Sequence, residues 1–331
     1  MPPGEIPQPP ILAAADELRR GRLVVFPTET VYGLGADALN ADAVAAVFER
    51  KGRPSGNPLI VHVSGTEMAR GIVAEWPPLA DRLAAEFWPG PLTIVLARGD
   101  TIPDAVSAGG PTVAVRCPDH PLTRPLIDAL GRPIVGPSAN PSGTLSPTTA
   151  DHVRAWLGDS VMILDGGPCE RGIESTVVSV DGGTIRVLRP GVVTPGSLAR
   201  FATVEAYENA AGSLASPPPA ETVPLRSPGL LRQHYAPRTR LRLFESADRR
   251  AVLDRLHAAG SSLVVLSHGI RLEDPRIIRM PPDPHTYARE LYAAMHRADA
   301  FGADAILAEL PEGGDPVWLA IRDRLLRAAA H

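Results

Sequence analysis

The stretch from Val24 to Val63, VVFPTETVYGLGADALNADAVAAVFERKGRPSGNPLIVHV, constrains this chain more than any other. An apolar run, Leu23 to Phe26, predicts a short buried strand. A hydroxyl-rich turn follows, carrying Thr28, Glu29, Thr30 and Tyr32. Asn40 is the candidate cap of a helix whose apolar face is Ala43, Val44, Val47 and Phe48, and which stops before Gly52. The loop Lys51-Gly52-Arg53-Pro54 then leads to a second apolar run, Leu59 to Val63. Strand, helix and strand in such close succession point to a layered α/β packing, with the polar groups on its turns.

The same alternation continues downstream. Helices are expected over Leu12 to Arg20, Leu79 to Phe87, Leu122 to Leu130 and, capped by Asp151, as far as Leu157. Strands are expected over Leu92 to Leu96, Thr112 to Val115, Ile134 to Val135, Ile163 to Asp165, Ser175 to Val180 and Ile185 to Leu188. Residues 1–10 are proline-rich and read as a disordered lead-in, and residues 11–205 as one large domain. Residues 206–238, rich in Ala, Ser and Pro without sustained period, read as a linker. Over 239–331 the alternation resumes as a smaller α/β domain, with strands at Leu241 to Phe244, Ser262 to Leu266 and Ala305 to Glu309. Its helices are expected at Asp248 to Ala259, Thr286 to Ala300 and Val317 to Ala330.

Composition narrows the functional classes. Across 331 residues the formal net charge is −4, which disfavours a broad electrostatic nucleic-acid surface but leaves room for a local basic cleft. Two cysteines, Cys117 and Cys169, are too few for a disulfide framework or a cysteine-rich zinc site. No apolar segment reaches transmembrane length, and the first residues lack the charged and apolar regions of a signal peptide. A cytoplasmic, reduced protein with no membrane partner is expected.

The chemistry-bearing groups are anion binders and hydroxyls. Lys51 offers a point charge and Arg53 a planar fork, suited to phosphate or carboxylate oxygens; a solvated helix end, where cations suit the dipole, is the plainer reading. Thr28, Thr30 and Tyr32 can bond a ligand or merely their own turn. The loop Gly136-Pro137-Ser138-Ala139-Asn140-Pro141-Ser142-Gly143, with Ser146, lets backbone amides approach a phosphate. Gly33-Leu34-Gly35-Ala36-Asp37-Ala38 fits a dinucleotide pattern, yet it begins too far beyond the strand to make the phosphate turn. There is no P-loop, no Ser/His/Asp order and no paired-carboxylate spacing. Such an inventory suits positioning and electrostatic catalysis on a nucleotide that brings its own leaving group.

Taken together, PTETVYGLG (27–35), KGRPSGNPL (51–59), WPGPLT (88–93), TVAVRCPDHP (112–121), GPSANPSG (136–143), GIESTVV (172–178) and LRPG (188–191) resemble the YrdC-like domain of the threonylcarbamoyl-AMP synthase family. SPGLLRQHYAP (227–237) and the domain after it resemble the longer, two-domain form. The resemblance implies an N-terminal twisted open mixed sheet with a concave, positively charged cavity, plus a smaller three-layer Rossmann-like α/β domain. It implies a nucleotidyltransferase that makes L-threonylcarbamoyl-adenylate and pyrophosphate from L-threonine, bicarbonate and ATP. Mg2+ would travel on the ATP phosphates, with no metal ligand from the protein. The product would pass to downstream tRNA threonylcarbamoyl-transfer proteins, which modify the adenosine beside the anticodon; weak direct tRNA contact is compatible with this.

By motif, the resemblance implies that Thr30, Tyr32, His62, Arg116, Ser175 and Thr176 bind L-threonine. ATP would be held by Lys51, Arg53, Asn57, Thr112, Ser138, Asn140, Ser146, Arg189 and Tyr235, with Lys51 and Arg53 as the catalytic pair. Tyr235 would fold back over the cavity. One departure stands near the end, where Gly314-Asp315-Pro316-Val317-Trp318-Leu319 replaces the family's Gly-Leu-Gly type of turn. Two other readings compete: a hydrogenase-maturation carbamoyltransferase, whose further zinc-finger and acylphosphatase-like modules are missing, and a non-catalytic RNA-binding module, which the −4 charge disfavours.

Overall fold

The computed structural model describes residues 9–205, 207, 234–258, 260 and 262–330. The first strands and helices are α1 (Pro9–Arg19), β1 (Val24–Phe26), β2 (Gly33–Asp37), α2 (Ala41–Lys51), β3 (Ile60–His62), α3 (Thr66–Arg70) and α4 (Pro78–Phe87). They are followed by β4 (Leu92–Ala97), β5 (Thr112–Arg116), α5 (Thr123–Leu130), β6 (Ile134–Val135), α6 (Ala150–Leu157) and β7 (Met162–Ile163). Then come β8 (Thr176–Asp181), β9 (Thr184–Arg189), α7 (Pro195–Leu198) and β10 (Thr203–Glu205). Their strands form one mixed sheet of ten, in the order β10-β9-β8-β4-β5-β3-β6-β2-β1-β7.

The second unit contains β11 (Leu241–Phe244), α8 (Arg249–His257), β12 (Leu263–Ser267), β13 (Ile277–Arg279), α9 (Pro284–Ala300), β14 (Ala305–Glu309) and α10 (Val317–Ala329). Its sheet has four strands, ordered β11-β14-β12-β13, and every pair is parallel. A large mixed sheet with a smaller parallel α/β domain is the expected fold class. No described helix is long and apolar enough to cross a membrane.

Local chemistry explains the main elements. Asn40 accepts from the amides of Asp42 and Ala43 and so starts α2, as expected. Gly52 ends that helix in the left-handed region at φ 59°; its amide bonds the Glu49 carbonyl and that of Arg53 the Phe48 carbonyl, closing a Schellman turn. The turn delivers Arg53 inward. Gly33-Leu34-Gly35-Ala36-Asp37 is a strand, paired antiparallel with β1 in the register Phe26↔Gly33 and Val24↔Gly35. A Cβ on Gly33 would stand 2.7 Å from Phe26 Cζ, and one on Gly35 2.9 Å from Phe26 Cδ1. These glycines therefore admit the Phe26 ring, and the dinucleotide pattern is a packing feature.

Several boundaries differ from expectation. Pro9 and Pro10, assigned to the lead-in, form the first turn of α1, where missing amide hydrogens cost nothing; residues 1–8 lie outside the described residues. Thr149, not Asp151, caps α6 by accepting from the His152 amide, because the helix begins at Ala150 and leaves Asp151 in its first turn. Asp165 falls beyond β7, turning to accept from the Gly167 amide at 3.1 Å. Strands β2, β10 and β13 and helices α3 and α7 were not anticipated; all run to five residues or fewer and carry little periodicity, and β2 is rich in glycine besides.

The two units share a core. One apolar cluster joins Val31, Leu145 and Ile173 of the first to Tyr287, Leu291, Tyr292, Met295 and Leu325 of the second, with Tyr235 between them. Of the expected linker, only Tyr207 and residues 234–238 are described.

Candidate active site

A cavity opens where the turns after β1, α2 and β6, the residues preceding β8 and the 234–235 segment converge. Eight of the expected site residues line it: Thr30, Arg53, His62, Arg116, Ser138, Ser175, Arg189 and Tyr235. Val31, Leu59, Ile60 and Pro137 supply apolar wall.

Sheet register places two of these groups side by side. Strand β3 runs parallel to β5 with His62 opposite Arg116. Arg116 donates to Thr30 Oγ1 at 2.9 Å and to the Gly90 carbonyl at 3.2 Å, and its Nη2 lies 2.7 Å from Glu29 Oε2. His62 is buried, and its Nδ1 has no hydrogen-bond partner among the described residues. Burial, and then the Arg116 charge, hold it well below the ordinary histidine value, so the ring is neutral.

Among the described residues, Arg53 and Arg189 donate to carbonyl, amide and hydroxyl oxygens. Arg53 donates to the Asn57 carbonyl at 3.0 Å, to Asn57 Oδ1 at 2.7 Å and to the Pro58 carbonyl at 2.7 Å. Burial lowers its pKa, opposed by Tyr235 and reinforced by Arg189, so its charge is poorly solvated and an anion would be stabilising there. Arg189, at the end of β9, donates to the Ser175 carbonyl at 2.9 Å and to Ser175 Oγ at 3.1 Å. Ser175 Oγ also meets Thr93 Oγ1 at 2.7 Å.

Seven expected residues lie outside this wall, and their hydrogen bonds show why. Lys51 was expected to face the phosphates. Instead its amino group is buried on the carbonyls of Ser138, at 2.5 Å, and Asn140, and burial followed by Arg53 holds its pKa well below the usual lysine value. It ties α2 to the Ser138 loop. Asn57 holds Arg53. Asn140 donates from Nδ2 to the Thr144 carbonyl at 2.9 Å, and Ser146 Oγ donates to Glu174 Oε1 at 2.6 Å. The Tyr32 hydroxyl donates to the Gly167 carbonyl at 2.8 Å and accepts from the Gly166 amide at 3.0 Å. Thr176 Oγ1 exchanges bonds with Val193, to its carbonyl at 2.8 Å and from its amide at 3.1 Å. Thr112 is exposed on a neighbouring open depression of the sheet face, which shares Leu59 with the cavity.

Two ionisable wall residues were missing from the expected set. Glu174 is a carboxylate among guanidinium groups, taken up by Ser146, by the Tyr292 hydroxyl at 2.9 Å and by Arg324 at 3.3 Å. Its partners lie 118 and 150 positions away on α9 and α10, which local sequence reading does not reach. His234 precedes Tyr235 and stacks edge-on against it, with ring centroids 3.9 Å apart; the HYAP string was its signal. Tyr235 itself is fully buried at φ 64°, a region that side-chain-bearing residues seldom adopt, and its hydroxyl has no hydrogen-bond partner among the described residues. The Ala236 amide bonds the Gly143 carbonyl at 2.9 Å, docking this segment on the Ser138 loop side.

No group of three His, Cys, Asp or Glu side chains among the described residues is placed to hold a metal ion. The arrangement can bind a polyanion beside a small polar ligand, and it can stabilise charge developing between them.

Comparison with known proteins is consistent with this geometry. The family model described as "Telomere recombination", covering Sua5, YciO and YrdC proteins, matches residues 16–191. A second, described as "Threonylcarbamoyl-AMP synthase, C-terminal domain", matches residues 196–330. The chain is 37% identical to the threonylcarbamoyl-AMP synthase of Pyrococcus abyssi, covering 97% of this chain and 94% of that one. It is 39% identical to that of Bacillus subtilis, covering 97% and 93%. Among solved structures, that of P. abyssi Sua5 complexed with L-threonine superposes with a TM-score of 0.86 at 36% identity, covering 96% of this chain and 94% of the other.

Proposed function

The chain belongs to the Sua5, YciO and YrdC family, in the form that carries the threonylcarbamoyl-AMP synthase C-terminal domain, and from that membership we propose how its cavity performs the family reaction. The reaction is the synthesis of L-threonylcarbamoyl-adenylate, a nucleotidyl transfer with L-threonine and ATP as substrates. Bicarbonate supplies the carbamoyl carbon. The threonine amine attacks it and water leaves; an oxygen of the resulting carbamate then attacks the α-phosphate of ATP, and pyrophosphate departs. Neither step needs an enzyme nucleophile, and the cavity wall carries guanidinium groups where one would otherwise stand. That cationic wall of Arg53, Arg116 and Arg189 is the observation that carries the reading.

Arg116 and Ser175, with neutral His62 beside them, are assigned to the threonine, the guanidinium taking its carboxylate. Arg53, Arg189 and the Ser138 loop are assigned to the triphosphate, whose equatorial oxygens gain charge in the transition state. Lys51 acts through the loop carbonyls it holds. Tyr235 roofs the cavity and keeps water from a labile carbamate. Mg2+ fits as a passenger on the phosphates, neutralising their charge when bound: Glu174, the carboxylate in the wall, has both oxygens occupied, so no protein ligand is assigned. The product is expected to serve tRNA threonylcarbamoyl transfer by other proteins in the cytoplasm, with at most weak direct contact between this chain and tRNA.

The test is incubation of the purified chain with ATP, Mg2+, bicarbonate and each amino acid in turn. Mass spectrometry should find the threonylcarbamoyl adenylate, lost without bicarbonate and in Arg53→Ala. Salt-sensitive tRNA binding with no adenylate from any amino acid would overturn the assignment.

A further inference from the structure

Arg324 lies on the last helix of the second unit and has no solvent exposure. A buried guanidinium is tolerated only where its donors are met. Within α10 it finds only long contacts, to the Ala320 carbonyl and Asp323 Oδ2, both at 3.5 Å. Its closer partners lie in the cavity wall or directly beside it. Nε donates to Glu174 Oε2 at 3.3 Å and Nη2 to the Glu174 carbonyl at 3.4 Å. Nη1 donates to the Pro190 carbonyl, and the guanidinium carbon stands 5.6 Å from the Tyr235 ring centroid.

Each contact falls on or beside a group already placed in the cavity. Glu174 precedes Ser175, Pro190 follows Arg189, and Tyr235 is the roof. We propose that Arg324 is a positioning residue for the substrate cavity, through which the second unit fixes the wall that binds both substrates. The proposal rests on reading this cavity as the adenylate-forming site. Two physical effects are involved. Glu174 is a carboxylate in a cationic wall, and without a counter-ion behind it the side chain would turn toward Arg53 and Arg189 and cancel charge intended for phosphate. The forked geometry of arginine also spans three chain segments at once, which lysine, a point charge, does not do.

The experiment uses the full chain and compares wild type with Glu174→Gln, Arg324→Lys and the double variant Glu174→Gln/Arg324→Met. The double variant removes both charges of the Glu174–Arg324 pair together, so its loss of the fork is read separately from the stranding of either partner. Steady-state KM for L-threonine and for ATP is measured by pyrophosphate release, with the thermal midpoint recorded alongside. Expected are KM values raised about tenfold for both substrates in Arg324→Lys, and in the double variant relative to Glu174→Gln, with kcat changing less. Wild-type KM values, whatever the midpoint, would reduce Arg324 to interface packing and overturn the proposal. If the double variant does not fold, Arg324→Lys, which keeps the charge on Glu174, decides alone. If wild type itself turns over no amino acid, the functional reading has failed instead; calorimetric ATP affinity of the same variants, weakened about tenfold or unchanged, then decides for or against positioning.

Discussion

The Arg116 guanidinium meets the Glu29 carboxylate at 2.7 Å, with both side chains only 4% exposed. Breaking such a buried pair from one side strands a charge, at about 3–5 kcal/mol. Glu29→Ala should therefore lose about that much stability in urea denaturation and, because Arg116 then drifts from Thr30, also raise KM for L-threonine. A stability loss with unchanged KM would show that Thr30 and Gly90 hold the guanidinium unaided.

Gly136 sits where a Cβ would come 2.5 Å from Phe26 Cζ and 2.9 Å from His62 Cε1. Gly136→Ala must displace His62 or Phe26, and overpacking of this kind costs about 1–3 kcal/mol. Because His62 lines the cavity, kcat/KM for threonine should fall at least tenfold while the chain stays folded. Near-normal kinetics would mean the Phe26 ring alone yields.

Five histidines are held below their ordinary pKa chiefly by burial: His62, His120, His152, His234 and His296. The His152 and His296 rings stack 3.9 Å apart between α6 and α9, and burial with the neighbouring ring brings His152 down to about 4. A depressed pKa favours the neutral form in the fold, so the unfolded chain binds more protons below about 6.5. The stabilisation is complete above that pH and is lost as pH falls toward 4. Urea midpoints at pH 7, 6 and 5 should decline in that order, with a shallower decline in His152→Gln/His296→Gln, whose remaining neighbours Asp151, Arg297, Asp299 and Arg238 keep their charges. An equal slope in that variant would shift the effect to the other histidines.

Lys51 is buried on carbonyl oxygens with its pKa well below the usual lysine value. A bound triphosphate stabilises the charged amine and raises that pKa. ATP binding at pH 8 should thus take up protons, seen as binding heats that vary with buffer ionisation enthalpy, and Lys51→Met should reduce the uptake. Buffer-independent heats in wild type would contradict this.

Much of the cavity was legible in the sequence, for a physical reason. Its residues stand on short turns directly attached to strands, so a local string such as KGRPSGN fixes both the Schellman turn that aims Arg53 and the Asn57 that holds it. Lys51 was legible as a cation but not as a loop anchor, because its direction depends on carbonyls 87 and 89 positions away. Tyr32, Thr112 and Thr176 carry the right strings, yet Tyr32 and Thr176 spend their hydroxyls on neighbouring backbone and Thr112 is exposed outside this wall. Arg324 was invisible for a further reason. On a helix near the chain's end, Asp323, Arg324 and Arg327 look like a solvated face, whereas all three are buried.

The apolar cluster that runs from Val31 and Ile173 into Tyr287 and Leu291 leaves the two units without separate cores at their junction. Neither side can melt without exposing surface that belongs to the other. Unfolding should accordingly register as one calorimetric transition, and a ligand that touches only the first unit should raise the melting of the second by the same amount, through binding linkage alone.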